Sequence, residues 1–279
     1  MEGKQRRITK DAVRGVISRV SIAGNSLLSF LAIMLAVVIA LYSGFMLYDS
    51  FYTQKQATST ALDLMQYRPV IIDDGEVPKS TRALSDVNKD YRGWLTVYET
   101  SIDYPVMQGP DDLYYASHDA YGEPSLSGAI YLAADNKRDF SDDYNVVYGH
   151  HMDNGAMFGA LDEYAKTAYF NSHREGMIIT EPGAYDLYIF AAATTDAYEG
   201  NFYTVGNRMD AVLSFLHARY GATEGTRVLQ YDEKALVGAH KIVALSTCAG
   251  AETNGRFIVF ATMARRNILT ITAEGYEDY

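Results

Sequence analysis

A single uncharged run sets the layout of this 279-residue chain: Leu27 to Tyr48 contains no Asp, Glu, Lys or Arg. As a helix rising about 1.5 Å per residue it would extend ~33 Å, enough for a hydrocarbon core of roughly 30 Å. Lys4, Arg6, Arg7, Lys10, Arg14 and Arg19 precede it against only Glu2 and Asp11, so the first 48 residues carry +4 and the remainder −15 of a total −11. Basic residues on the N-terminal side are expected to stay in the cytoplasm, which places the acidic body outside. The length of chain before the run, and the lack of a small-x-small site closing it, favour a retained anchor over a cleaved signal peptide. The expected localisation is therefore the cell membrane, single-pass, with a cytoplasmic N-terminus and an extracellular body. Such an acidic body lacks the basic surface that phosphate backbones require, so nucleic acid is not an expected partner.

The expected organisation is a basic segment 1–26, an anchor 27–48, a membrane-proximal stalk 49–85, a folded catalytic domain 86–266 and a tail 267–279. In the stalk a polar run, Thr53 to Thr60, is expected to stay open, leading into Ala61, Leu62, Leu64 and Met65 at helical spacing before Pro69, Gly75 and Pro78. Beyond Gly93 the pattern changes to short β-rich runs: Trp94 to Tyr98, Ala129 to Leu132, Asn145 to Tyr148, Met177 to Thr180, Tyr185 to Ala193, Lys241 to Thr247 and Phe257 to Met263. Many short strands with irregular connections imply a mainly β fold, a closed barrel or a sandwich. One amphipathic helix interrupts them, with Met209, Val212, Leu213, Phe215, Leu216 and Tyr220 on its apolar side, Asn207 as its expected cap and Gly221 as its stop.

Cys248 is the single cysteine, which excludes an intrachain disulfide and a cysteine-type zinc site; no metal is expected. It ends the run Lys241 to Thr247, where a reactive side chain can meet solvent. If that run pairs antiparallel with Phe257 to Met263, Arg256 lies at the same end, where its charge can lower a thiol pKa and its fork can bind a developing oxyanion. Strand alternation puts Ser246 on the face of the thiol, and Ser246 and Thr247 are the expected substrate-binding residues. Of the six histidines, His150 follows a strand and Gly149 and can project into a cleft. His151 points elsewhere in an extended backbone, and His118, His173, His217 and His240 occupy solvated or turn-like stretches. His150, Cys248 and Arg256 thus form the expected catalytic set for cysteine acyl transfer.

The runs Val146-Val-Tyr-Gly-His-His-Met152 and Ala244-Leu-Ser-Thr-Cys248, the latter followed by Arg256, resemble the histidine and cysteine-arginine motifs of class B sortases. The resemblance covers roughly Ser85 to Arg266 and includes Gly93-Trp-Leu95, Ile102-Asp-Tyr-Pro-Val106 and Asn154-Gly-Ala-Met-Phe-Gly159. The late helix resembles the class B insertion; Ala249 departs from the pattern, since polar residues are common there. The resemblance implies an eight-stranded sortase-type barrel with peripheral helices. It also implies a cofactor-free transpeptidase that cleaves an Asn-Pro-type C-terminal sorting signal of exported proteins and joins the threonine carboxyl to a cell-wall peptidoglycan amine. In those roles Cys248 attacks the threonine carbonyl, Arg256 stabilises the oxyanion and His150 is the acid and base. The alternatives are an exported cysteine peptidase, an L,D-transpeptidase, or a membrane-tethered β-barrel that only binds. Papain-like peptidases place cysteine before histidine, whereas here His150 precedes Cys248, and an L,D-transpeptidase would carry its arginine closer to the cysteine.

Overall fold

The computed structural model describes residues 2–69, 84–248 and 254–266. The expected breaks at Gly75 and Pro78, the departure at Ala249 and the 267–279 tail lie outside the described residues. The chain divides into two compact units, residues 1–52 and 53–279. Helix α1 (Glu2–Leu64) fills the first unit and carries a segment long and apolar enough to cross a membrane, with a mean hydropathy of 2.5 in its most apolar window. Apolar side chains of that segment, Leu27, Phe30 and Leu41 among them, are exposed.

The polar run Thr53 to Thr60 is not an open stalk: α1 continues through it. No glycine or proline falls between Phe45 and Arg68, so nothing in the backbone interrupts the helix before Pro69. Leu64, 4% exposed, packs with Leu84, Trp94, Met107 and Tyr115. Just beyond, the Arg68 Nε lies 3.1 Å from the Asp103 carboxylate, which also accepts bonds from the Trp94 indole and the Thr96 hydroxyl. The last turns of α1 are thus part of the folded body.

That body is built on nine strands: β1 (Tyr91–Val97), β2 (Asp103–Met107), β3 (Ile130–Leu132), β4 (Tyr144–His150), β5 (Glu175–Thr180), β6 (Gly183–Asp196), β7 (Arg227–Tyr231), β8 (Ile242–Cys248) and β9 (Gly255–Arg265). Eight of them close into a barrel in the order β1-β2-β3-β4-β8-β9-β6-β5, with β5 returning to β1, and β7 lies outside on β6. The pairs β2–β3 and β4–β8 are parallel and the rest antiparallel. β6 has to serve three neighbours, and a bulge between Ile189 and Ala191 lets it bend from β5 towards β7. The barrel with peripheral helices is the architecture expected above; β2 and β7 were not among the runs read as strands.

Alternation along the strands separates two cores. Leu95, Val106, Val147, Leu245, Val259 and Ala261 fill the barrel interior. Tyr144, Val146, Ile242, Ala244, Ile258 and Phe260 face outwards beneath the short helix α4 (Gly200–Tyr203) and α5 (Met209–Arg219), which contribute Phe202, Met209, Val212 and Leu216. Gly221, with φ +80, lies just past the end of α5, as a C-terminal stop requires. Two further short helices, α2 (Leu84–Val87) and α3 (Thr167–Ser172), lie on other parts of the barrel. Asn207 does not cap α5: the N-cap position is Arg208, whose side chain makes no capping bond. The cap comes instead from Asp143, 65 residues away.

Candidate active site

β4 and β8 run parallel in a register that sets Tyr148 beside Ser246, Gly149 beside Thr247 and His150 beside Cys248. Residues 150 and 248, remote in sequence, become neighbours on adjacent strands about 4.8 Å apart. On the other side of β8 the antiparallel register with β9 runs from Ile242–Thr262 to Ser246–Ile258. Arg256 lies on β9 two residues before Ile258, as position 248 lies on β8 two residues after Ser246. Residues two apart along a strand share a face, so His150 lies on the face of Val146 and Tyr148, and Arg256 on that of Ile258. Both are on the outer face, which further along the same strands carries Val146, Ala244 and Ile258 under α4 and α5.

Local packing fixes the end of β4. A Cβ on Gly149 would come within 2.4 Å of the Ile130 side chain and 2.8 Å of the Phe158 ring, so only glycine permits this approach. The Phe158 N–H then donates to the His150 carbonyl at 2.9 Å, folding the loop after His150 back onto the strand end. The His150 Nδ1 is buried with no hydrogen-bond partner among the described residues. Burial pushes the His150 pKa below its ordinary value, because the charged ring loses hydration. The resting imidazole is accordingly neutral and able to accept a proton.

His151, next in the chain, is committed elsewhere: its Nε2 lies 2.8 Å from the Asp162 carboxylate. His118 stacks on Tyr114 and His173 on Tyr169, while His217 lies edge-on to Tyr231. Arg256 is half-buried and donates only a 3.3 Å bond to the Gly255 carbonyl. Among the described residues no carboxylate lies within ion-pairing distance of it. A guanidinium left without an acid is available to an oxygen that becomes negative during a reaction. Among the described residues no group of three or more His, Cys, Asp or Glu side chains could hold a metal ion.

The two expected substrate-binding residues separate by parity. Ser246 is on the outer face, fully buried, with its hydroxyl 3.1 Å from the Tyr203 hydroxyl. Thr247 is on the interior face, where its hydroxyl accepts the Phe257 N–H at 2.9 Å. Its position therefore serves the β8–β9 joint, with the hydroxyl turned away from the outer face. Sequence reasoning missed Tyr148 and Tyr203, whose rings stack at 6.1 Å beside Ser246, with Tyr131 a further 5.3 Å from Tyr148. The alternation that identified Ser246 also marks Tyr148, two residues before His150. No local signal brings Tyr203 there, because α4 carries it in from another part of the chain.

No family model matches the sequence. Sortase B of Listeria monocytogenes is 30% identical over 175 residues, covering 63% of this chain and 69% of that protein. Sortase B of Staphylococcus aureus is 26% identical over 242 residues, covering 85% and 97%. Its 2.0 Å crystal structure shares the fold at a TM-score of 0.60, with 24% identity, over 78% of this chain and all of that one. The crystal structure of a Streptococcus pyogenes class B sortase involved in pilus biogenesis gives a TM-score of 0.57 at 36% identity, over 64% of this chain and 95% of that one.

Proposed function

The chain belongs to the class B sortases, which are cysteine transpeptidases, and on that premise we propose its substrate, its chemistry and its placement. It is held in the membrane by residues 27–48 with the barrel outside. It cleaves an Asn-Pro-x-Thr-x-like C-terminal signal on exported proteins and joins the threonine carboxyl to an amine of a peptidoglycan precursor. Membrane attachment suits a reaction whose two partners are also membrane-held, because it raises their effective concentration.

The observation that carries this reading is the parallel β4–β8 register that pairs position 150 with position 248; it is supported by Arg256, which lies on β9 two residues before Ile258, the partner of Ser246. As the Cys248 sulfur attacks the threonine carbonyl carbon, its proton passes to the neutral His150 imidazole and the carbonyl oxygen becomes an oxyanion. The Arg256 guanidinium stabilises that oxyanion. The carbon–nitrogen bond then breaks, His150 returns the proton to the leaving amine, and a thioester remains. An incoming amine attacks the thioester, gives its proton to His150 and displaces the Cys248 sulfur, which recovers that proton. The chain is regenerated with one amide exchanged for another, and no cofactor is consumed.

The test is to trap the thioester. The full chain in detergent micelles, mixed with a peptide bearing the signal, should gain the mass of the acyl fragment by mass spectrometry and lose it when an amine acceptor is added. Cys248→Ala should show neither adduct nor cleavage while keeping its fold. Turnover near wild type in Cys248→Ala would overturn the assignment. Product release unaffected by any amine would make the chain a peptidase.

A further inference from the structure

The outer face of β4 is covered by a segment, residues 200–219, that arrives from between β6 and β7, and its attachment is concentrated at the start of the strand. The Asp143 Oδ1 accepts the backbone N–H of Arg208 at 2.7 Å and of Met209 at 3.2 Å, satisfying two of the donors that a helix leaves unpaired at its N-terminus. Helix α5 has no side-chain cap of its own. Tyr144 adds a two-way backbone bridge to Gly206, at 3.1 and 3.3 Å, and its buried hydroxyl donates to the Phe202 carbonyl at 2.7 Å. The Asp143 carbonyl also accepts the Ile242 N–H at 2.9 Å, tying the same residue to the first turn of α5 and to the start of β8.

What this segment carries to the other end of β4 is Tyr203. Phe202, packed against Phe260 and Phe215 at ring separations of 5.0 and 5.2 Å, seats α4. The next residue, Tyr203, then reaches Ser246 and stacks on Tyr148. We propose that Asp143 is a positioning residue for the substrate groove: by capping α5 from the His150 strand, it holds the α4–α5 segment in place and so sets Tyr203 beside Ser246. The proposal rests on the sortase reading above. Seven residues separate Asp143 from His150, about 23 Å of extended strand, so Asp143 cannot touch the reacting atoms and acts only through the segment it caps.

Steady-state cleavage of the Asn-Pro-x-Thr peptide by the full chain in micelles, with melting recorded in parallel, tests this. Removing an N-cap costs enough to loosen a docked helix. Asp143→Ala is expected to raise KM about threefold to tenfold with kcat within about twofold of wild type. Asp143→Asn keeps an acceptor oxygen at the same place and should restore KM, which a loss of charge alone would not allow. Tyr203→Phe removes the hydroxyl bonded to Ser246 and should raise KM by itself. The double variant Asp143→Ala with Tyr203→Phe should be no worse than the poorer single, because both break one chain of contacts. An unchanged KM in Asp143→Ala, equal effects of Asn and Ala, or full additivity with Tyr203→Phe would overturn the proposal. If Asp143→Ala does not fold, an unchanged KM in Tyr203→Phe overturns it instead. Failure of the sortase reading would be seen separately, as a wild-type chain that forms no acyl adduct.

Discussion

The two faces of β4, β8 and β9 divide the labour residue by residue. On the interior face Val147, Leu245, Thr247 and Val259 are buried and Thr247 bonds to the next strand, so every group is spent on holding the barrel closed. On the outer face, one residue out of step, Tyr148, His150, Ser246 and Arg256 include a buried ring nitrogen and a guanidinium that have, among the described residues, no hydrogen-bond partner and no carboxylate respectively. Unsatisfied groups are costly in a core and useful in a site. The period of two keeps them apart, so that chemistry can vary on one face while the other stays packed.

Substitutions on either side of this divide should therefore fail in different ways. The largest separation is expected between neighbouring histidines. His150→Ala should lower kcat/KM by about 10²- to 10⁴-fold, the usual worth of a general acid and base, while His151→Ala, losing contacts to Asp162 and Asp153, should keep most activity. Equal losses in peptide cleavage would erase the distinction. Next, Arg256→Lys keeps the charge but not the fork, and kcat should fall by ~10²- to 10³-fold with KM little changed. A change confined to KM would make Arg256 a docking residue.

A smaller effect is expected from pH. Because burial lowers the His150 pKa, the base form persists into acid, and the acid limb of kcat/KM should lie below the ordinary histidine value of about 6.5. The same shift acts on stability. Between the unfolded and folded pKa values the unfolded chain binds the proton more readily, so this contribution is present above about 6.5 and is lost as pH falls through the folded value. Titration of the rate, and of the melting temperature in wild type against His150→Gln, checks both; an acid limb above 6.5 would contradict the neutral resting ring. The smallest effect on rate belongs to the interior face. Thr247→Val leaves the Phe257 N–H without its acceptor and should cost about 1–3 kcal/mol of stability while KM for the peptide stays unchanged. A raised KM at undiminished stability would return Thr247 to the substrate groove.

Much of this divide was legible in the sequence because alternation is a local property. The runs around Asn145–Tyr148, Lys241–Thr247 and Phe257–Met263 are readable as strands, and the positions of His150, Cys248 and Arg256 at strand ends follow from where those runs start and stop. β2 escaped because Pro105 breaks its pattern, and β7 because a five-residue strand outside the barrel has little periodicity to read. Helical extent was misjudged at Thr53–Thr60, where polarity suggested an open chain although no residue there breaks a helix. The cap of α5 was assigned to nearby Asn207, since nothing local points to Asp143. Thr247 and Ser246, adjacent in sequence, could be separated only once the register fixed which parity faces outwards.

The parallel pairing of β4 with β8 also governs when the site comes into being. Neither β4 nor β8 alone holds a reactive pair, and the two cannot meet through a tight turn, because parallel strands require a long crossover. That crossover contains β5, β6, β7 and the whole α4–α5 segment, so bringing position 150 beside position 248 closes a loop of most of the barrel. Closing so long a loop is among the slower events in folding. On the proposed chemistry, a chain in which β4 and β8 have not yet paired would hold positions 150 and 248 apart and have no acyl-transfer site.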